Sequence, residues 1–275
     1  MADSLPLDQH TLWNGPAGEN WVAQQTLLDG LFQPMADALR DELPATVTKL
    51  LDIGCGTGAS TLIAATARPG AHCTGIDISA PMLSLARQRA VAIGRNIDFI
   101  VADAQRHDFA AARYDWIQSR FGVMFFEDTQ AAFANLRRAA QAGAGLRFIA
   151  WRSAQENPFM TTAERALADQ LVLPARTAGA PGQFAFADGE RVRQMLQSTG
   201  WQDVDVSPLD LTCFLTRDAL PSYVGQLGPV GLALRALPAE RADALLQQAL
   251  AAFAPFIDGD CVRVQTACWM IRARA

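Results

Sequence analysis

The chain has 275 residues, of which half are hydrophobic, and it carries a formal net charge of -5 with a pI near 5.2. This length allows one large domain with a buried core. The negative charge argues against a protein that binds the phosphate backbone of a nucleic acid, because such binding needs clustered lysines and arginines.

Further sequence signals concern the compartment. We expect no secretory signal, because the N-terminus lacks a basic segment followed by an apolar core. We also expect no membrane span, because no apolar stretch reaches the ~20 residues that a span requires. The five cysteines are scattered and form no C-x-x-C pair. This spacing indicates reduced thiols and predicts neither disulfides nor a metal site. We therefore expect a cytoplasmic protein, and its oligomeric state stays open.

A glycine-rich loop follows the first predicted strand. The apolar run from Val47 to Ile53 is typical of a buried parallel strand. Gly54, Gly56 and Gly58 then allow a tight turn and a close approach of the backbone to a ligand, because glycine tolerates positive φ and has no Cβ. A helix is predicted to follow from Ala59 to Ala67.

The charge beside this loop bears on the kind of ligand. Dinucleotide enzymes bind a pyrophosphate at a loop with G-x-G-x-x-G spacing, whereas here the spacing is G-x-G-x-G and Asp52 precedes the first glycine. A carboxylate repels a pyrophosphate but attracts an ammonium or sulfonium group. S-adenosylmethionine carries both of these cationic groups and no phosphate. The loop therefore favours S-adenosylmethionine over a dinucleotide as the cofactor.

Two further acids follow the next predicted strands. The second strand, 72–77, ends at Asp77, and the third, 96–101, is followed by Asp103. An acid at the tip of the second strand can accept hydrogen bonds from both hydroxyls of a ribose, and Asp103 can accept one from an adenine amino group. The alternative for Asp103 is an ordinary turn, and for Asp77 a turn or the cap of the next helix.

Strands and helices alternate as far as residue 151, and the pattern loosens beyond it. The later predicted elements are helices at 79–94, 129–141 and 188–198, strands at 114–118, 145–150, 201–214 and 261–273, and a helical segment at 217–256. This order predicts a doubly wound, Rossmann-like α/β sheet of seven strands within a single domain. We expect an N-terminal helical cover at 1–45, a cofactor-binding core at 46–155, a lid and a helix at 156–200, and the final strands with a helical cap at 201–275.

Four motifs together resemble a known family. They are Leu51-Asp-Ile-Gly-Cys-Gly-Thr-Gly58, Gly75-Ile-Asp-Ile-Ser79, Ala102-Asp-Ala104 and Ser119-Arg-Phe-Gly-Val-Met-Phe-Phe126. With them the chain resembles the class I S-adenosylmethionine-dependent methyltransferases, in the subgroup related to ubiquinone and menaquinone C-methyltransferases and to many small-molecule methyltransferases. The resemblance covers residues 12–155. One departure is Gln141-Ala-Gly-Ala-Gly145, where relatives commonly have Pro-Gly-Gly.

The resemblance implies a role for each motif. The loop glycines, Gly54, Gly56 and Gly58, would line the methionine portion of the cofactor, behind which Asp52 stands. The implied contacts to the rest of the cofactor are Asp77 to the ribose, Ile78 or Met82 beside the adenine, Asp103 and Ala104 at the adenine edge, and Ser119 beside the reactive methyl group. The segment from Trp13 to Trp21 resembles the segment that covers the cofactor in such enzymes, which places Trp21 in the site.

The implied activity is transfer of a methyl group from S-adenosylmethionine to a small organic acceptor, at oxygen, nitrogen or carbon. The alternatives are a quinone-type C-methyltransferase, a protein that binds the cofactor without catalysis, and a dinucleotide-dependent oxidoreductase. We expect no nucleic-acid partner, because the net charge is negative.

A catalytic base is needed only for some acceptors. His107, in the loop after the third strand, is a candidate base for a phenol, alcohol or amine, and the alternative is a solvated loop histidine. Further candidates are Arg120, Glu127, Asp128 and Tyr223. Proximity alone can suffice for an activated acceptor. Six aromatic residues are candidates for an acceptor pocket, with core packing as the alternative: Phe125, Phe126, Trp151, Phe159, Phe184 and Phe186.

Overall fold

A computed structural model describes residues 8–177 and 179–275 and contains one mixed sheet. Its strands are β1 (Lys49–Ile53), β2 (His72–Asp77), β3 (Asp98–Val101), β4 (Tyr114–Arg120), β5 (Ala140–Trp151), β6 (Gln202–Thr216), β7 (Ile257–Asp258) and β8 (Cys261–Arg274). Seven of them lie in the order β3-β2-β1-β4-β5-β8-β6, and the short β7 pairs with β8 beside this path. The predicted seven-stranded α/β sheet is confirmed, with β7 as an addition.

The strand order creates a crevice at one edge of the sheet. Strands β1 to β5 run parallel, whereas β8 is antiparallel to both β5 and β6. The chain proceeds outward from β1 to β3 and then crosses to β4, so the order reverses between β1 and β4. Ligands of doubly wound sheets bind at such a reversal, outside the carboxyl ends of the strands. Asp52 pairs with Gly75 of β2 and with Gln118 of β4, so the ends of these strands are aligned.

Helices surround the sheet. In the described part of the chain they are α1 (Gln9–Asn14), α2 (Pro16–Ala23), α3 (Gln25–Leu31), α4 (Gln33–Asp41), α5 (Ala59–Ala67), α6 (Ala80–Ala92), α7 (Thr129–Ala139), α8 (Pro158–Ala166), α9 (Gly189–Ser198), α10 (Leu220–Gln226), α11 (Gly228–Arg235) and α12 (Ala239–Ala251). Short polar side chains fix where two of them begin. Ser79 caps α6 by accepting the N–H of Met82, and Asp128 caps α7 by accepting the N–H of Ala131.

The central strands form the interior of the domain. Leu50, Leu51 and Ile53 of β1, with Ile76 of β2 and Ile117 of β4, each expose at most 1% of their surface. A parallel sheet that helices cover on both faces gives such uninterrupted apolar strands. Burial of one aliphatic side chain stabilises the fold by about 1.5–3 kcal/mol. This packing holds the strand ends in place.

The boundary between α7 and β5 differs from the prediction. Helix α7 ends at Ala139, and β5 begins directly at Ala140 rather than at Gly145. Ala140 pairs with Tyr114, and the pairing then shifts so that Gly145 lies opposite Trp116. A Cβ at Gly145 would lie 2.6 Å from the Trp116 ring, so glycine is required for this close approach.

The segments after β5 contain more helix than predicted. Helix α8 lies in a stretch whose alanines, prolines and glycines predicted only a lid, whereas the cap between β6 and β8 is helical as predicted. Asn20 of α2 donates to the carbonyl of Gln226 at 2.8 Å, and Gln24 donates to the side chain of Gln226 at 2.7 Å. These bonds join the N-terminal helices to the cap. The division of the domain near residues 45, 155 and 200 stays a prediction.

No described helix combines the length and the apolar character needed to cross a bilayer. Within residues 8–177 and 179–275, no group of three or more His, Cys, Asp or Glu side chains is placed to hold a metal ion. All five cysteines are free, and four of them are buried.

Candidate functional site

A cavity of about 520 Å³ opens at the carboxyl edge of the sheet, where the strand order reverses. Its walls come from the loops after β1, β2, β3 and β4 and from helices α1 and α2. Most of the residues that the sequence assigned to a cofactor line it: Trp21, Gly54, Gly56, Asp77, Ile78, Met82, Asp103 and Ala104. The volume is in the range of small-molecule sites.

The glycine loop forms one wall through its backbone. Gly54 has φ of +60°, and a Cβ there would lie 2.6 Å from the Cα of Gly122. Gly56 has φ of +56°, and a Cβ there would face the sulfur of Met82 at 3.7 Å. Gly54 therefore allows the close approach of Gly122, and both glycines allow the positive φ that this turn needs. Gly58, with φ of +87°, lies against Ala86 and is not part of the cavity lining.

Asp77 is the acid at the tip of β2, and it is 7% exposed. One carboxylate oxygen accepts the N–H of Gly56 at 2.7 Å and the other accepts the N–H of Ser79 at 2.9 Å. Burial raises the pKa of Asp77 to about 6, although both N–H groups favour the charged form. A carboxylate has about four acceptor sites, so two more hydrogen bonds from a ligand fit this group.

The loop after β3 supplies the next acid along the wall. Asp103 accepts the N–H of Gln105 at 2.9 Å, and the neighbouring Ala104 is buried. Ile78 and Met82 provide aliphatic and thioether surface to the same cavity. An acid beside flat apolar surface suits an amino-bearing aromatic ring.

The N-terminal helices are fastened over the tip of β2. The Asn14 side chain donates to the carbonyl of Ile78 and accepts the N–H of Ala80, each at 3.0 Å. Ser79 Oγ donates to the carbonyl of Trp13 at 2.7 Å. These bonds hold Trp13 and Trp21 at the cavity.

Besides Gly58, two more predicted cofactor residues lie outside the cavity lining, Asp52 and Ser119. Asp52 is fully buried, and one of its oxygens accepts the hydroxyls of Ser60 at 2.7 Å and Thr61 at 2.6 Å. Burial raises the pKa of Asp52, against the effect of these hydroxyls. The structure thus places this carboxylate against the first turn of α5. Ser119 is also buried and donates to the carbonyl of Ile53 at 2.7 Å.

The predicted base is also placed outside the lining. The His107 ring packs edge-to-face on Phe109 with centroids 4.6 Å apart. By contrast, His10 of α1 lines the cavity, a position that the sequence gave no reason to expect because helix packing brings it there. Among the further candidates, Arg120 and Glu127 line the cavity, whereas Asp128 and Tyr223 do not.

The six candidate aromatic residues divide into two groups. Phe125 and Phe126 line the cavity, and Phe125 contacts Trp13 with ring centroids 5.0 Å apart. Trp151 is buried and stacks on Phe121 at 4.5 Å. The other three also lie outside the lining: Phe159, Phe184 and Phe186.

Comparison with known proteins identifies related methyltransferases. The model of a methyltransferase domain matches residues 50–143. Malonyl-[acyl-carrier protein] O-methyltransferase from Enterobacter lignolyticus is 31% identical over 185 residues, which cover 60% of this chain and 70% of that protein. Aklanonic acid methyltransferase DauC from Streptomyces is 36% identical over 120 residues, or 42% of this chain and 54% of that protein. The match thus spans about half the length of DauC.

The solved structures agree on the fold. Phosphoethanolamine N-methyltransferase 2 from Haemonchus contortus, in complex with S-adenosyl-L-methionine, superposes with a TM-score of 0.61 at 17% identity, over 100% of this chain and 61% of that one. This likeness concerns the sheet and its helices. Together with the sequence relatives, it shows that the chain belongs to the class I S-adenosylmethionine-dependent methyltransferases.

Proposed function

We propose that this chain transfers the methyl group of S-adenosylmethionine to a small organic acceptor, at oxygen, nitrogen or carbon, and releases S-adenosylhomocysteine. The observation that carries the proposal is the Asp77 carboxylate at the cavity wall, held by the N–H groups of Gly56 and Ser79. That arrangement leaves acceptor sites for two ribose hydroxyls next to an open glycine loop.

The other wall residues suit the remaining parts of the cofactor. Asp103 and Ala104 would meet the adenine edge, with Ile78 and Met82 along its faces. The glycine loop would hold the methionine portion, and Trp21 would cover it. When bound, the cofactor supplies an electrophilic methyl group on a sulfonium sulfur.

The protein's part in the reaction is positioning. The acceptor atom must approach the methyl carbon in line with the bond that breaks, and holding it there supplies a large part of the acceleration. A base matters only where the acceptor carries a proton at the reacting atom. His107 lies outside the lining, which supports catalysis by positioning.

The cavity walls near β4 indicate the chemical class of the acceptor. Phe121, Phe125 and Phe126 line this part of the cavity and support an apolar or aromatic acceptor. The free cysteines support the proposed cytoplasmic location. Quinone-type C-methylation and cofactor binding without methyl transfer are the competing outcomes of the test below.

Calorimetry and a labelled-methyl screen test the proposal. The chain is titrated with S-adenosylhomocysteine and with NAD, and we expect binding of the first alone. The chain is then incubated with S-adenosylmethionine carrying a labelled methyl group and with panels of phenols, carboxylic acids, amines and quinols. Label in a quinol carbon alone identifies the quinone-type enzyme. Binding of NAD without S-adenosylhomocysteine contradicts the proposal, and cofactor binding with no labelled product from any panel favours the non-catalytic alternative.

A further inference from the structure

A guanidinium lies at the β4 end of the cavity. Arg120 is the last residue of β4, two residues beyond the Gln118 that pairs with Asp52, and it lines the cavity. Strand β1 lies between β2 and β4, so Asp77 and Arg120 stand at the ends of strands that are two apart in the sheet. Two more charged residues of the lining, Arg106 and Glu127, form an ion pair at 3.4 Å, whereas Arg120 has no such partner in the described structure.

The protein supplies few hydrogen-bond partners to the Arg120 guanidinium. Arg120 is partly buried, and one of its nitrogens donates to the carbonyl of Phe32 at 3.4 Å. Its guanidinium lies 5.9 Å from the centroid of the Phe32 ring. Within residues 8–177 and 179–275, no carboxylate lies at ion-pair distance from Arg120. A guanidinium has five N–H donors, so most of them are free to bond a ligand.

Two acids act on the charge of Arg120 from beyond ion-pair distance, Asp29 and Asp52. Asp29 forms an ion pair with Arg89. One oxygen of Asp52 accepts hydrogen bonds from the hydroxyls of α5, and the other is buried with no hydrogen-bond partner in the described structure. Burial lowers the pKa of Arg120 against the opposing effects of Asp29 and Asp52, while Arg89 adds a repulsion that lowers it further. The guanidinium is therefore partly buried without an ion-pair partner among the described residues.

Another arginine of this domain shows the usual arrangement. The Arg147 side chain is 16% exposed and pairs with Glu42 at 3.1 Å. A charge withdrawn from water without a partner destabilises a protein, and an arriving anion relieves that cost through paired N–H···O bonds. Arg120 differs from Arg147 in that its open side is the cavity.

We propose that Arg120 is an anion subsite, which binds the carboxylate of a molecule in this cavity at the end opposite Asp103. The inference rests on the proposed function, since it assumes that the cavity receives cofactor and acceptor. Two molecules can bring the carboxylate. One is the cofactor, through the α-carboxylate of its methionine portion, and the other is an acceptor that is itself an acid.

The first arm of the test concerns the cofactor. The full chain and its Arg120→Gln and Arg120→Lys variants are titrated with S-adenosylhomocysteine and with 5′-methylthioadenosine, which has the same nucleoside but no amino-acid portion. If the cofactor brings the carboxylate, Arg120→Gln weakens S-adenosylhomocysteine binding by about tenfold or more and leaves 5′-methylthioadenosine unchanged. Arg120→Lys then retains part of the difference, because it keeps the charge.

The second arm concerns an acidic acceptor. With saturating S-adenosylhomocysteine, the chain is titrated with 1-naphthoate and with the neutral 1-naphthamide, whose rings suit the walls formed by Phe121 and Phe125. If the acceptor brings the carboxylate, the wild-type chain prefers the acid and Arg120→Gln loses the preference. A loss in either arm supports the anion subsite and identifies its source.

Stability and ligand effects are separated by a matched variant. Arg147→Gln also removes a buried guanidinium, yet it lies outside the cavity, so it should lower the melting temperature without changing the ratio of the two nucleoside affinities. The subsite is overturned if Arg120→Gln changes neither the ratio of the two nucleoside affinities nor the preference for 1-naphthoate over 1-naphthamide. It is also overturned if Arg120→Gln weakens the binding of both nucleosides equally. A wild-type chain that binds neither nucleoside contradicts the proposed function instead, and the naphthoate titration of the free protein then decides on Arg120.

Discussion

The two halves of the chain contribute very differently to the cavity. Every residue of the cavity lining lies between Asp8 and Glu127. Residues 128–275 supply three long strands and six α-helices of the described structure, yet none of the lining. In the first half, ligand-facing groups are fixed by short local motifs. In the second half, aromatic residues of the same type are used to build the core, so residue type alone does not distinguish the two roles.

The largest effect should come from the second half and should concern stability. Phe159 is 2% exposed, and its ring packs on Trp151 with centroids 6.1 Å apart. We expect Phe159→Ala to lower the free energy of unfolding by about 3–5 kcal/mol, because it leaves a cavity in the core. Chemical denaturation measures this change, and the affinity of the folded variant for S-adenosylhomocysteine should stay the same.

Phe214 is the control for this variant. It is 54% exposed on β6, so Phe214→Ala should change the free energy of unfolding by less than about 0.5 kcal/mol. Loss of cofactor affinity in folded Phe159→Ala would show that the second half shapes the cavity, and the contrast between the halves would then fail.

The next effect should come from the first half and should concern binding. We expect Asp77→Ala to weaken S-adenosylhomocysteine by about 100-fold or more, because two hydrogen bonds to a charged acceptor are lost. Asp77→Asn keeps one acceptor oxygen and should lose less. Calorimetry measures both affinities. If Asp77→Ala kept full affinity for S-adenosylhomocysteine, Asp77 would not bind the ribose. An unchanged affinity in Phe159→Ala would still agree with a packing role for the second half.

The pH dependence of binding sharpens the assignment to Asp77. The pKa of this buried acid is raised from 3.8 to about 6 in the folded chain. A ribose donates to the charged form, so the affinity for S-adenosylhomocysteine should fall by about tenfold between about pH 7.5 and about pH 5. Asp77→Asn should show a flatter profile, and an equally steep profile in that variant would assign the effect to another group.

The stability of the free chain should respond to pH in the opposite direction. Between pH 3.8 and about 6 the folded chain holds the Asp77 proton more tightly than the unfolded chain does. The Asp77 contribution to stability therefore decreases as the pH rises through this window, while ligand affinity increases. Denaturation of wild-type and Asp77→Asn chains at several pH values isolates this contribution. Equal slopes for the two chains would contradict the raised pKa.

Local sequence was sufficient for the loop and for the sheet. Gly54 and Gly56 need positive φ, and Asp77 follows them at the next strand tip, so the residues themselves indicate the turn and the wall. Seven strands were predictable because their short apolar runs are separated by helices or, between β3 and β4, by a loop. The early start of β5 was not, because it depends on the contact between Gly145 and Trp116.

The sequence does not predict which way a side chain points or which partners it bonds. Asp52 stands beside the loop in sequence, yet its carboxylate bonds Ser60 and Thr61. Arg120 is recognisable as a charged residue, but its lack of a carboxylate partner depends on how α3 and α4 pack. The core role of Trp151 likewise depends on Phe121 of another segment. Such contacts join distant parts of the chain and leave no local pattern.

The smallest effect should come from the residue that the sequence proposed as a base. The His107 ring contacts Phe109 outside the lining, and its backbone carbonyl accepts a hydrogen bond from Asn135 at 2.9 Å. Alanine keeps that carbonyl. We therefore expect His107→Ala to retain turnover within about twofold, whereas loss of a general base lowers the rate by about 100-fold or more. The rate is measured over pH with an acceptor found in the labelled-methyl screen.

His72→Ala is the matched histidine control, because that exposed ring pairs with Asp98 away from the cavity. If both variants keep the wild-type rate and pH profile, positioning within the first half of the chain accounts for the catalysis. A fall of about 100-fold in His107→Ala alone, with a flattened pH profile, would show that the loop after β3 rearranges to bring this ring to the acceptor. The cavity would then be completed by a movement, and the division between a ligand-facing half and a packing half would hold only for the free protein.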